Sequence, residues 1–283
     1  MILEILTYIF IAIFGLCIGS FLNCVIYRME YKKSLNGWSF CPHCKHNLSW
    51  LDLFPVFSWL FLKGRCRYCK KKISWQYPVV EISTALLFLI ILNFKFEILN
   101  QFEILKFLNP IFLFYIAGSL VVIFVYDLKH YLIPDKVLFP AIIITFLYRL
   151  FGVLWIPAFA GMTRGGAGMT GSKIIFLENY LLATVVAGGF FLLIFLISKG
   201  RAMGFGDVKL AVLMGLLLGL PNVLVALFLA FFIGAIICVI LMAFQKKGLK
   251  SEIPFGPFLI LGTFIALFWG EQIIQWYFTF FKI

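Results

Sequence analysis

The chain has 283 residues and only four aspartates: Asp52, Asp127, Asp135 and Asp207. Asp127 and Asp207 each stand where a long apolar stretch meets a short polar one. An ionisable side chain at membrane depth is costly, and function is the default explanation for it. Two carboxylates held close cannot both ionise easily, so they share a proton. The ionised member then activates a water, and the protonated member polarises a carbonyl, which is the chemistry of peptide hydrolysis. Asp207 follows Gly204-Phe205-Gly206, and glycines at 204 and 206 would let an extended substrate backbone come close. Taken singly, each aspartate reads better as a helix cap or an ion-pair partner of Lys129 or Lys209, two residues away. Asp135, after Pro134, is read as a cap.

A second constellation is Cys41-Pro-His-Cys44 with Cys66-Arg-Tyr-Cys69. Two such turns close a tetrahedral thiolate site for structural Zn²⁺. Disulfides are the rival, but a cytoplasmic segment keeps its thiols reduced. Four cysteines fill the shell and leave no open position for metal catalysis. His43 and His46 are alternative ligands, more simply read as solvent-facing. Lys45 and Lys70 stand where such knuckles often carry glycine. Cys17, Cys24 and Cys238 fall in apolar stretches and read as packing residues.

Membrane-crossing helices must position these groups. Hydrophobic residues make up 63% of the chain and charged residues 13%, against roughly 45–50% and about 25% in soluble domains. The mean hydropathy is +1.06. A soluble fold could not cover that much apolar surface. Runs of about 20 apolar residues cross a bilayer. Such runs lie at 5–27, 79–95, 108–126, 137–155, 174–198, 208–220, 222–243 and 258–280, the sixth being short. The first lacks a charged leader and a cleavage site, so it is expected to be retained. With eight spans, 18 Lys and Arg fall on one side and 5 on the other, with Arg149 inside the fourth span. This bias puts the basic segment 28–78 in the cytoplasm and both termini outside. The net charge of +12 is thus a topology signal, not a nucleic-acid one. The expected fold is an all-α polytopic membrane protein of about eight transmembrane helices with a small cytoplasmic zinc-binding module.

The residues resemble the type IV prepilin leader peptidase and N-methyltransferase family, intramembrane aspartyl proteases of the bacterial inner membrane. "GLCIGSFLNCVIYR" (15–28) is similar to its first-span signature, and "LFPVFSWLFLKGRCRYCKKKISWQYPVVE" (53–81) to its cytoplasmic block. "DLKHYLIPD" (127–135) and "GFGDVKL" (204–210) resemble its two aspartate motifs, and "IPFGPFL" (253–259) its last cytoplasmic turn. Five motifs in order are specific where a lone GxGD is not. The resemblance implies that Asp127 and Asp207 are the catalytic pair. It implies cleavage of prepilin or pseudopilin leaders at the cytoplasmic face of the bilayer. It also implies methylation of the new N-terminal residue with S-adenosylmethionine as donor. Gly64 and Glu81 occupy positions associated with the methyl-transfer step. Glu81 reads equally as a favourable charge near a helix N-terminus. No glycine-rich nucleotide loop points to methylation independently.

The implied organisation is a first transmembrane helix at 1–27, a zinc-binding, methyltransferase-associated domain at 28–78 and a transmembrane peptidase domain at 79–283. Residues 157–172 depart from the family pattern and carry "AGMT" twice. They read as a flexible, dispensable insertion derived from a repeat element. The competing functions are a peptidase without methyl transfer, a proton-coupled transporter with the aspartates as its relay, and a non-catalytic zinc-binding assembly factor. The sequence leaves the oligomeric state and the particular pilin open.

Overall fold

The computed structural model describes residues 2–94, 103–160, 169–201, 203–244 and 253–281. Among them are nine α-helices: α1 (Ile2–Glu30), α2 (Phe57–Phe61), α3 (Gln76–Asn93), α4 (Glu103–His130), α5 (Asp135–Ala160), α6 (Met169–Ser198), α7 (Phe205–Leu218), α8 (Asn222–Ala243) and α9 (Gly256–Phe281). Eight of these fall on the eight apolar runs; α2 is the short extra one. Six described helices (α1, α3, α4, α6, α8 and α9) are long and apolar enough to cross a bilayer. The only β-pairing among the described residues is two isolated bridges, Phe40 with Asn47 and Arg65 with Lys72. The chain divides into two compact units, Met1–Val122 and Ile123–Ile283.

In the first unit α1 and α3 pack antiparallel in a four-residue register. A Cβ on Gly15 would lie 2.6 Å from the Ala85 Cα, and one on Gly19 would lie 2.6 Å from the Glu81 Cα. Small residues four apart let two helix backbones touch where lipid offers no hydrophobic drive to pair them. One step further along, Asn23 is buried and donates to the Tyr77 carbonyl at 3.1 Å, while Gln76 donates to the Asn23 side chain at 3.2 Å. The first part of α4 closes this unit, with Phe114 stacked 4.2 Å from Phe88.

In the second unit α7 is the central helix, packed against α5, α6, α8 and α9. Its Leu210, Leu213 and Met214 are fully buried. Its 14 residues span about 21 Å, less than a full crossing of about 30 Å. Surrounded by protein, it does not have to span the bilayer alone. Gly215 makes the packing possible, since a Cβ there would collide with the Thr184 backbone of α6. The helix stops at Gly219, in the left-handed region at φ 68°. Arg149 of α5 donates to the Leu216 and Leu217 carbonyls at 3.2 and 2.5 Å, satisfying acceptors that a helix end leaves open. The cation inside the fourth span is therefore the C-terminal cap of α7.

The 157–172 stretch is described only at its two ends. Residues 157–160 continue α5 and residues 169–172 lie in the first turn of α6, so these positions are helical. Residues 161–168 lie outside the described residues.

Candidate active site

Asp127 occupies the last turn of α4. The chain then reverses through Tyr131, at φ 56°, whose N–H donates to the Asp127 carbonyl at 2.9 Å. It enters α5 after Pro134, whose carbonyl accepts from Val137 and Leu138 at 3.1 Å each. Asp207 lies in the first turn of α7, three residues after the N-cap Gly204. Its carboxylate turns back toward the N-cap, where the Gly204 backbone N–H meets it. An acid at this position serves the helix start. The capping interpretation of Asp207 is therefore compatible with a second role for the same side chain.

Both aspartates are buried, at 4% and 8% exposure. They are close enough for the charge of Asp127 to act on Asp207. Helix ends far apart in sequence thus bring two carboxylates into one neighbourhood, as a shared-proton pair requires.

A third element completes the surroundings. The Gly256 backbone N–H, at the start of α9, faces the Asp127 carboxylate. A Cβ on Gly256 would lie 2.5 Å from Asp127 Oδ2 and 3.2 Å from its Cγ. Gly256 belongs to the "IPFGPFL" motif, yet sequence reasoning gave it no role. A Pro-Phe-Gly-Pro turn was the one available signal, and nothing in it points at Asp127. Ile133 packs between the starts of α7 and α9: it lies 3.0 Å from a Cβ placed on Gly206 and 3.4 Å from one placed on Gly256. The space beside Gly206 is thus occupied by the chain's own loop. Gly204 is exposed, and a Cβ there would meet only Asp207 Oδ2 and the Gly206 nitrogen, at an ordinary 3.9 Å, so that side is open.

Asp135 does not act as a side-chain cap. It accepts both contacts of a two-pronged ion pair from Lys209 Nζ, at 2.8 and 2.9 Å. Lys209 therefore pairs with Asp135 rather than with Asp207. The pair joins the start of α5 to the first turns of α7. Both side chains reach solvent, at 52% and 22% exposure, so its contribution to stability is small.

In the first unit the four cysteines converge. The sulfurs of Cys41, Cys44, Cys66 and Cys69 all lie within 4.8 Å of one another, and Cys41 and Cys69 are 3.9 Å apart. A tetrahedral thiolate site with bonds of about 2.3 Å has sulfurs roughly 3.8 Å apart, so the cluster could hold a metal ion. The two knuckles repeat each other. Lys45 and Lys70 donate backbone N–H bonds to Cys41 and Cys66 at 3.0 Å, and Cys41 and Cys66 donate to His46 and Lys71 at 2.9 Å. Lys45 and Lys70 adopt φ of 60° and 58°, the left-handed conformation for which glycine is the usual choice. The knuckle geometry is kept without the glycine.

Asp52 ties the second knuckle to a single 3₁₀ turn, Trp50–Leu53. It accepts from Arg67 Nε at 2.6 Å and from Ser49 Oγ at 2.8 Å. Burial pushes its carboxyl up, but the bonds from Arg67 and Ser49 outweigh this and hold it below its ordinary value.

Gly64 and Glu81 are both engaged within the first unit. Gly64 has φ 66°, and a Cβ there would lie 2.9 Å from the Trp59 ring. Its carbonyl accepts from Ile73 at 2.8 Å. The buried Glu81 accepts from the Val56 N–H at 2.7 Å and from Ser20. Its carboxylate thus links α1, α3 and the loop before α2, beyond any effect on the helix dipole.

The chain is similar to known proteins along most of its length. Residues 13–94 match the family model described as the bacterial peptidase A24 N-terminal domain, and residues 113–239 match the type IV leader peptidase family. The chain is 32% identical to the prepilin leader peptidase/N-methyltransferase of Legionella pneumophila over 295 residues, covering 95% of this chain and 94% of the relative. It is 30% identical to the protein of that name from Aeromonas hydrophila over 292 residues, covering 94% and 92%. It is also 30% identical to the one from Bacillus subtilis over 267 residues, covering 94% and 95%. No solved structure matches. With two buried carboxylates at neighbouring helix ends, a four-cysteine cluster and these relatives along nearly its whole length, the chain belongs to the type IV leader peptidase family.

Proposed function

We infer that the chain is a membrane aspartic endopeptidase that removes the leader of prepilin-like proteins and then N-methylates the new N-terminal residue. The observation that carries the cleavage step is the pair of buried, interacting carboxylates, Asp127 and Asp207, at the ends of two helices. The ionised carboxylate takes a proton from water, and the resulting hydroxide attacks the scissile carbonyl. The protonated carboxylate hydrogen-bonds the carbonyl oxygen and stabilises the charge that develops there. Collapse of the tetrahedral intermediate passes a proton to the leaving amine. The open side of Gly204 is the approach for the substrate strand. Gly206 lets α7 close on Ile133, and Gly256 seats Asp127.

The naming of the relatives as N-methyltransferases supports the methyl-transfer step, for which S-adenosylmethionine supplies the methyl group. Gly64 and Glu81 offer no free group to a methyl donor, because Trp59 fills the space beside Gly64 and Glu81 is bonded to Val56 and Ser20. They act as positioning residues that fix the shape of the block between 53 and 81. The four-cysteine cluster is a structural zinc site. It holds a domain of about 50 residues that is too small for a sufficient core of its own. Domain limits at 28–78 and 79–283 and a cytoplasmic place for the zinc domain follow from the Lys and Arg bias. The protein is a multi-pass protein of the bacterial inner membrane.

Co-expression with a prepilin tests this reading. The parent yields a cleaved pilin carrying one added methyl group, and Asp127→Asn or Asp207→Asn yields uncleaved prepilin. Normal cleavage by either variant removes that residue from the catalytic pair.

A further inference from the structure

The segment 50–75 carries apolar surface that a water-facing zinc domain would not. Trp50, Phe54, Phe57, Leu60, Phe61 and Trp75 are all exposed, Phe61 at 83%. Cations lie beside them: Lys63, Arg65, Lys70, Lys71 and Lys72 are exposed too. The one acid of the segment, Asp52, is paired with Arg67. Exposed aromatics flanked by cations are the composition of a surface at the boundary between bilayer and water.

A second observation fixes the depth. Val56 donates to Glu81 at 2.7 Å, and Glu81 lies five residues past Gln76, the first residue of α3. That is about 7.5 Å along the helix axis. The Glu81 side chain leans back toward the start of the helix, so Val56 lies level with the first one and a half turns of α3. This helix is long and apolar enough to cross the bilayer. The Trp59 ring lies 4.1 Å from that of Trp75, the residue just before α3. The N-cap and the middle of α2 are thus pinned beside the start of a membrane span. Val56 is held at φ 60° and ψ −51°, a conformation that a β-branched residue rarely adopts. Such backbone persists where its surroundings dictate it, and the bond to Glu81 does so here.

We propose that residues 50–62 lie in the lipid interface, with Phe54, Phe57 and Phe61 among the acyl-chain ends and the cations from Lys63 to Lys72 against anionic headgroups. The partner is the bilayer itself. α1 and α3 hold the segment at the surface from both sides, and the cations complement acidic lipid. The proposal rests on the first unit alone and is independent of the aspartyl chemistry.

The test uses the full chain in nanodiscs of phosphatidylcholine with and without phosphatidylglycerol, and in detergent. A diazirine-bearing amino acid at position 61 forms lipid adducts on illumination. The amides of 54–62 exchange about ten-fold more slowly in the anionic bilayer than in detergent, and the difference shrinks at high salt. Combining Phe57→Ser with Phe61→Ser abolishes the slowing, while the knuckle amides at 41–47 exchange as in the parent. Exchange that is equal in bilayer and detergent, with no lipid adduct, overturns the proposal. Adducts that form only with an added prepilin peptide overturn it in favour of a protein-docking surface. Equal slowing with and without phosphatidylglycerol overturns the role given to the cations.

Discussion

Gly256→Ala separates the seating of Asp127 from the stability of the fold. The backbone at 256 lies outside the left-handed region, so alanine adds only its methyl group. That methyl would lie 2.5 Å from Asp127 Oδ2 and 3.2 Å from its Cγ. A carbon–oxygen contact relaxes at roughly 3.5 Å, so the carboxylate must shift by about 1 Å. It sits at the end of a side chain with two torsions, so the helices need not move and the loss of stability is small. Catalysis is less forgiving, because a misplacement of about 1 Å costs about 100-fold in rate, or about 2.7 kcal/mol of barrier. Gly189→Ala on α6 is the control, since a Cβ there would meet nothing within 4 Å. The assay is single-turnover cleavage of a prepilin in proteoliposomes, with thermal unfolding measured in parallel. The expected result is that Gly256→Ala cleaves about 100-fold more slowly at a nearly unchanged unfolding temperature. Cleavage within about three-fold of the parent, a barrier change of about 0.6 kcal/mol, would refute the role given to Gly256.

Other outcomes follow from the same geometry. Gly19→Leu pushes α1 from the Glu81 backbone, where a Cβ would lie 2.6 Å away. Methylation should then fall more than cleavage, as read from the masses of the mature pilin. Asp135→Asn removes an exposed ion pair worth at most about 1 kcal/mol, so cleavage should slow by no more than about five-fold, measured in the same single-turnover assay. Lys45→Gly with Lys70→Gly relieves two left-handed non-glycine residues, each costing on the order of 1 kcal/mol. The double variant should hold zinc more tightly against a competing chelator. Asp52 has a lowered folded-state value. Its contribution to the zinc domain is therefore complete above its unfolded value near 3.9, and is lost as pH falls through the lower folded value. Asp52→Asn should remove that part of the acid transition, followed by fluorescence of the domain's tryptophans.

The membrane helices were legible because bilayer thickness writes itself into the length of apolar runs, and the 18-to-5 division of cations orders those runs. Asp127 and Asp207 were legible as costly charges at the ends of such runs. What remained hidden depends on contacts between distant elements. Gly256 matters because α9 begins against the last turn of α4, and no local pattern reveals that. Lys209 stands two residues from Asp207, but a helical turn aims it at Asp135 on α5. Glu81 looked like a dipole charge because its partner, the Val56 N–H, belongs to a loop whose fold spacing does not give. The knuckle lysines show the opposite case: residue type argued against the left-handed turn, and the converging cysteines prevail.

The central claim is that Asp127 and Asp207 act as one catalytic pair, and the mass of a co-expressed pilin's N-terminus tests it most directly. The parent enzyme should yield a leaderless, singly methylated pilin, and either Asp127→Asn or Asp207→Asn should yield full-length prepilin, each variant being present in the membrane at parental levels. Mature pilin formed at the parental rate by either variant would contradict it.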